Sequence, residues 1–220
     1  MPNIKNLKLK INYCNIAGSP NYVFISNWAK MQKEYYADQE FKDVNFTEKQ
    51  LKTGEYDNCT FIGCTFTQSS LIDFIFLECT FKQCDLSLAN LTNTTFRDVK
   101  FNGCKMMGLH FEACSDILFS VSFVDCNLQL SSFFQRKMKQ TTFVNCQLNE
   151  VDFTETNLAA SNFKECDFTA AVFEYTLLEK ADFRTSYNFI IDPENNRIKG
   201  AKFDAQSLKG LLTKYNIIVD

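Results

Sequence analysis

The chain has 220 residues, enough for one domain with a sizeable core, and a formal net charge of −3. Twenty-three phenylalanines against only seven glycines and three prolines argue against a conventional β-sandwich or barrel, which needs many tight turns. The sequence has no apolar run of about 18 residues, which excludes a transmembrane helix, and its first residues lack the apolar core of a signal peptide, so we expect a cytoplasmic protein.

The first predicted element is an N-terminal cap made by residues 1–37. Apolar residues alternate with polar ones from Leu7 to Tyr13, which is typical of a strand. Ser26 can cap a helix that extends to about Tyr36 and covers the first coil with Trp28.

A five-residue period follows the cap. Every fifth residue is apolar from Phe41 to Phe111 and, after a slip of two residues, from Leu118 to Phe183, which makes 29 positions without an exception. The residue two places earlier is small in 23 of these 29 pentapeptides. Neither a helix nor a flat strand has this period. It predicts an all-β fold, a right-handed quadrilateral β-helix over residues 38–185 with about seven coils, in which each pentapeptide forms one side and four sides complete a turn.

Residues of one side should then stack in columns with a spacing of 20 residues. One column consists entirely of phenylalanines, and the opposite one of leucines followed by phenylalanines: Phe41, Phe61, Phe81, Phe101, Phe123, Phe143, Phe163, Phe183 and Leu51, Leu71, Leu91, Phe111, Phe133, Phe153, Phe173. Six cysteines form a third column: Cys64, Cys84, Cys104, Cys126, Cys146, Cys166. This spacing favours small buried side chains over disulfides or zinc ligands, and we expect no metal or cofactor.

The slip of two residues is predicted to form an outward bulge at 112–117. Asp116 and Arg136 both fall in the small inward series, one turn apart on the same side. Two interpretations remain open: a buried ion pair between successive turns, or a bulge that turns Asp116 out to solvent.

Acidic residues dominate the predicted outer surface. Residues 38–183 contain 21 Asp and Glu against 12 Lys and Arg. Eight of the acids in 146–183 are candidates for a partner-binding surface: Glu150, Asp152, Glu155, Glu165, Asp167, Glu174, Glu179, Asp182. Such a surface either binds a protein partner or only keeps the rod solvated, and it argues against direct binding of nucleic acid.

Catalytic residues are hard to find in this sequence. His110 is the single histidine, and Cys114 lies close to it. No further acid or base is placed to complete a triad with them. We therefore predict that the protein is not an enzyme.

The last elements are a loop at 186–197 and a final coil with a short helix at 198–220. Asp204 can cap this helix, and Gly210 should weaken it. The apolar residues expected on one helix face and in the tail are candidates for contact with a second protomer: Leu208, Leu211, Leu212, Tyr215, Ile217, Ile218, Val219.

Several pentapeptides carry a motif close to A(D/N)Lxx, among them CDLSL at 84–88, ANLTN at 89–93, CDFTA at 166–170 and ADFRT at 181–185. In this motif the chain resembles the pentapeptide-repeat family, and its tail looks like that of the Qnr- and MfpA-like branch. The resemblance implies a homodimer joined through the C-terminal tails, an acidic rod that imitates DNA, and DNA gyrase, a type II topoisomerase, as the partner protected from quinolones. The long projecting loops of many Qnr-like proteins are missing, so a scaffold with an unknown protein partner is the alternative.

Overall fold

The computed structural model describes residues 34–218, which wind into a parallel β-solenoid of about seven turns. Its strands are short: β1 (Glu34–Ala37), β2 (Glu40–Lys42), β3 (Gly54–Asp57), β4 (Thr60–Ile62), β5 (Ile75–Leu77), β6 (Thr80–Lys82), β7 (Thr95–Arg97), β8 (Val99–Asn102), β9 (Val121–Val124), β10 (Thr142–Val144) and β11 (Asn162–Lys164). They form a four-stranded sheet in the order β1-β3-β5-β7 and a seven-stranded sheet in the order β11-β10-β9-β8-β6-β4-β2. The predicted quadrilateral β-helix is therefore confirmed.

Four sides can be defined by their central inward residues. Side I runs from Phe41 to Phe183 and contains the seven-stranded sheet, and side IV starts at Tyr36 and contains the four-stranded one. Side II runs from Phe46 to Phe168, and side III runs from Leu51 to Phe173. Within each of these sides, single parallel bridges connect successive turns, such as Asn45↔Thr65 on side II and Ser132↔Asp152 on side III. Each bridge links residues one turn apart.

The central residues stack along the axis and form the core. On side I, the ring centroids of Phe61 and Phe81 lie 4.7 Å apart with the rings 8° from parallel. The column continues across the slip, with 5.4 Å between the Phe101 and Phe123 centroids, and it extends one turn beyond the prediction to Phe203, whose centroid is 5.4 Å from that of Phe183. Offset stacks and edge contacts between columns fill the interior with aromatic rings.

The small inward residues close the turns by hydrogen bonding. The Cys84 thiol donates to the carbonyl of Phe61 at 3.4 Å, and the Thr156 hydroxyl donates to the carbonyl of Phe133 at 2.8 Å. In both cases the acceptor is the carbonyl of a central residue 23 positions earlier. Cysteine, serine and threonine are thus equivalent here because each is small and carries a donor.

The inserted residues leave the regular path between Ser115 and Ser120. The Ser115 amide still donates to Thr94, one turn earlier, and regular pairing resumes with Val121 opposite Val99. These partners are 22 residues apart instead of 20, so two residues have been gained in the bulge. Leu118 was expected to point inward, but its side chain is 66% exposed. Phe119 replaces it against the core, 6.5 Å from the ring of Phe96, because the bulge shifts the inward position by one residue.

Asp116 and Arg136 form an ion pair in which the arginine is buried and the aspartate is exposed. The Asp116 side chain is 86% exposed, so its predicted inward position is wrong, while Arg136 is inward and 3% exposed. Arg136 nevertheless reaches Asp116 at 2.7 Å, and it also donates to the carbonyls of Cys114 at 3.0 Å and Ser115 at 2.9 Å. Its guanidinium lies 4.2 Å from the ring centroid of Phe119. Arg136 therefore holds the whole bulge.

The two ends of the described chain depart from the simplest expectations. The predicted N-terminal helix was to extend to Tyr36, but Glu34–Ala37 is strand β1, paired with β3; the rest of that prediction lies outside the described residues. At the other end Tyr187 and Arg197 keep bridges to the previous turn, so the expected loop leaves the ladder only between them. Among residues 34–218, no helix is long and apolar enough to cross a lipid bilayer.

Two 3-10 helices, Ala205–Leu211 and Thr213–Tyr215, follow the last turn. The Asp204 side chain accepts a hydrogen bond from the amide of Gln206 at 3.0 Å, as predicted for a cap. Gly210 is buried and packs directly on Phe189, and any Cβ at this position would collide with the Phe189 carbonyl. The glycine therefore permits the close approach that docks the helix.

Candidate partner-binding surface

Acidic residues are distributed unevenly around the rod. In the turns from residue 64 to 185, sides II and III carry eight acidic residues and one lysine, whereas sides IV and I carry seven acidic and nine basic residues. Over residues 38–183 the same count gives nine acidic and three basic residues on sides II and III, against twelve acidic and nine basic on sides IV and I, so the larger part of the acidic excess lies on two adjacent sides. A potential of one sign across two sides attracts a basic partner to those sides.

The eight candidate acids separate into two groups in the structure. None of them is buried, and five lie on sides II and III: Glu150, Asp152, Glu155, Asp167, Glu174. The other three belong to sides IV and I and pair with bases. Glu179 lies 2.7 Å from Arg197, and Asp182 lies 2.7 Å from Arg184, while Glu165 is 3.5 Å from Lys164. These three charges are partly neutralised within the protein.

Asp182 on side I and the acids of side III, Asp152 and Glu155, differ in their hydrogen-bond donors. The Arg184 side chain donates to Asp182 and lowers the pKa of that carboxyl. On side III, Asp152 accepts only a local bond from the Thr154 amide at 2.8 Å, and Glu155 accepts one from the Gln135 side chain at 2.8 Å. Among residues 34–218 no basic side chain forms an ion pair with Asp152 or Glu155, in contrast to Asp182.

His110 and Cys114 do not form a catalytic pair. The Nδ1 atom of His110 lies 2.7 Å from Glu112 on the surface of side III, with its side chain largely exposed. Cys114 is buried beneath the bulge, and burial raises the pKa of its thiol to about 12. A thiol with this pKa is protonated near neutral pH and is a poor nucleophile.

The C-terminal end carries the second predicted surface. Leu208, Tyr215, Ile217 and Ile218 are exposed, Leu211 and Leu212 are half-buried, and Val219 lies outside the described residues. Beside them is an open groove of about 1170 Å³, whose lining includes Tyr187 and Ile190. Lys214, in the second 3-10 helix, forms ion pairs with Asp192 at 2.8 Å and Glu194 at 2.6 Å and so connects this helix to the preceding loop. The two carboxylates raise the pKa of Lys214.

Comparison with known proteins identifies the repeat. The family model described as "Pentapeptide repeat region" matches residues 54–116 and 116–187. The chain belongs to the pentapeptide-repeat family. A search of curated protein sequences gave no match.

Two solved pentapeptide-repeat structures share the fold. A trypsin-treated variant of QnrB1, described as a plasmid-mediated fluoroquinolone resistance protein, is 17% identical with a TM-score of 0.68, and the match covers 87% of this chain and 93% of that one. HetL, involved in heterocyst differentiation regulation in Nostoc sp. strain PCC 7120, is 13% identical with a TM-score of 0.54, covering 82% and 92%. At these identities the likeness establishes the fold alone.

Sequence reasoning missed that the acids are separated by side. The acidic segment 146–183 includes residues of all four sides and ends before Arg184 and Arg197, which pair with two of its acids. The signal was present in the sequence, because position within the 20-residue turn determines the side. Counting charges by that position gives the excess on sides II and III directly.

Proposed function

We propose that this pentapeptide-repeat protein is a non-catalytic interaction module that binds a protein partner through the acidic surface of sides II and III. The partner is a type II topoisomerase, DNA gyrase, and binding protects that enzyme from quinolones. The observation that carries the proposal is the charge difference between sides, eight acidic residues to one lysine against seven acidic to nine basic. The resemblance to the Qnr-like branch, and the fold shared with a fluoroquinolone resistance protein, support the choice of enzyme.

The test uses the purified protein with purified gyrase. Supercoiling activity is measured with and without a fluoroquinolone, and direct binding is measured in parallel. We expect the protein to bind gyrase and to restore supercoiling in the presence of the drug. A protein that neither binds gyrase nor shifts supercoiling under either condition contradicts the proposal.

One observation favours the alternative, a scaffold for another protein partner. At ~4.8 Å per turn, about seven turns make a rod of roughly 34 Å, and duplex DNA of that length carries about 20 phosphate charges. Sides II and III present eight acids over most of this length. A charge density below half that of DNA suits a partner that recognises more than phosphate-like charge.

We also propose that two protomers associate through their C-terminal ends. Exposed Leu208, Tyr215, Ile217 and Ile218 beside the groove support this, because clustered apolar side chains on a surface mark contact sites. We expect an Ile217→Glu/Ile218→Glu variant to be monomeric and the unchanged protein to be dimeric in analytical ultracentrifugation. If the protein without these substitutions is monomeric, this part of the proposal is contradicted. The proposal that a partner binds sides II and III does not depend on dimerisation.

A further inference from the structure

The corner between sides II and III is a continuous ladder of single residues, one from each turn. The amide of each donates to the carbonyl that precedes the next: Leu88 to Met107, Gly108 to Gln129, Leu130 to Asn149 and Glu150 to Thr169, at 2.9–3.0 Å. All of these corner residues have positive φ, from 56° at Glu150 to 64° at Gly108. The corner residues therefore form a continuous edge along the rod.

Leucine is an unusual residue for this corner. Among the 25 described non-glycine residues with positive φ, most are Asp, Asn, Glu or Gln, and only Leu88, Leu118 and Leu130 are leucines. Asparagine and aspartate tolerate this backbone region better than leucine does. Leu88 and Leu130 are also each 56% exposed, so they gain little from burial. Neither backbone conformation nor core packing explains them.

In the turn between the two leucines, the corner residue is Gly108, which has no side chain to separate them. A Cβ on Gly108 would lie 2.7 Å from Cδ2 of Leu88, so the Leu88 side chain occupies the space over that glycine. It thereby extends along the edge toward Leu130, two turns away. Half-buried Met107 adjoins the glycine. The result is a narrow apolar ridge within the two acidic sides.

Charge and spacing together identify what fits on this ridge. Acidic residues outnumber basic ones on the two flanks, with Asp85 and Glu150 on side II and Glu112 and Asp152 on side III, against Lys105 on side II. Two turns of the solenoid separate Leu88 and Leu130 by about 10 Å, close to the ~10.5 Å between residues i and i+7 of an α-helix. We propose that the edge from Leu88 to Leu130 binds a basic amphipathic helix of a protein partner, with its apolar stripe on the leucines and its lysines and arginines over the flanking acids.

This inference deepens the proposed function, since it specifies the segment that the partner presents to sides II and III. It differs from pure imitation of DNA, in which only negative charge would be recognised. An apolar anchor adds an attraction that salt screens little, whereas exposed charge pairs weaken strongly with salt.

The test uses synthetic peptides, so that it does not depend on gyrase. One probe is an 18-residue amphipathic helix of leucine and lysine, and the other replaces each leucine by alanine with the same charge. Binding to the full chain is measured by fluorescence anisotropy at about 150 mM salt. We expect the leucine–lysine helix to bind at least 10-fold more tightly, and Leu88→Asn/Leu130→Asn to reduce its affinity to that of the alanine–lysine helix.

A matched control changes exposed apolar residues on side IV. Ile117→Asn/Leu118→Asn removes two such residues, including a leucine with positive φ, and should leave peptide affinity unchanged. Both double variants should keep the melting temperature within a few degrees, since the replaced side chains are largely exposed. Equal affinity for the two peptides, or equal losses in the two double variants, would overturn the inference. Failure to bind gyrase together with selective peptide binding would overturn only the proposed enzyme partner.

Discussion

At the scale of single residues, two inward positions in each pentapeptide have different tasks. The central residue fills the axis with a large apolar side chain. The small residue two places before it, where it is a cysteine such as Cys84 or a threonine such as Thr156, donates a hydrogen bond to the previous turn. Ser131 uses the same geometry, donating to the Met106 carbonyl at 2.8 Å. The repeated Cys, Ser and Thr are therefore explained by hydrogen bonding as well as by size.

Removing one of these donors without changing its shape tests that explanation. Thr156→Val keeps the volume of a fully buried side chain but removes the hydroxyl that donates to Phe133. We expect the free energy of unfolding to fall by about 1 kcal/mol, the usual net value of such a bond. Urea denaturation provides the measurement. Thr154→Val, on the outer surface of side III, is the control, and an equal effect of the two changes would refute the assigned role.

The sequence predicted the inward positions well because each residue's neighbours lie one turn away, at a fixed separation. The cysteine column was correctly placed, and the described cysteines all carry buried free thiols. Burial raises the pKa of Cys79 to about 12, as expected for a thiol inside an apolar core. The hydrogen bonds to carbonyls were missed, since size alone was sufficient to explain the pattern.

At the scale of structural elements, the bulge shows where periodicity ceases to predict detail. A slip of two residues reveals that residues were inserted, but it does not fix which side chains remain inward. The structure exposes Leu118 and buries part of Phe119, because Phe119 is the one that reaches the rings of Phe96 and Phe111. Arg136 was recognised from its charge in an apolar series, and its bonds to the carbonyls of the bulge could not be read from spacing.

The asymmetry of the Arg136–Asp116 pair leads to a prediction. Arg136→Ala leaves the carbonyls of Cys114 and Ser115 without their donor and opens space beside Phe119. We expect it to lower the free energy of unfolding by roughly 2–4 kcal/mol. Asp116→Asn retains an acceptor in an exposed position and should cost less than about 1 kcal/mol. Thermal and urea unfolding distinguish the two, and an Arg136→Ala variant as stable as the unchanged protein would contradict this role.

At the scale of the whole molecule, a rod built from repeats separates its chemistry by side. Stacking places residues 20 positions apart on one another, so a preference at one position of the turn becomes a stripe along the rod. The fold could be predicted from the sequence because the 20-residue period determines which residues pair in successive turns. The ion pairs of Glu179 with Arg197 and of Asp182 with Arg184 could not be predicted, since the periodicity fixes the side of each residue but not the direction of a long exposed side chain.

The most direct test of the account compares two double charge reversals on different sides of the rod. Glu150→Lys/Glu155→Lys changes the corners at either edge of side III, and Glu78→Lys/Asp98→Lys changes two exposed corner residues between sides IV and I. All four residues have positive φ, and each pair changes the net charge equally. Binding of each variant to gyrase is measured by surface plasmon resonance at one salt concentration. We predict that only the first variant loses affinity, by at least 10-fold; equal losses in both, or an unchanged protein that does not bind, would contradict the account.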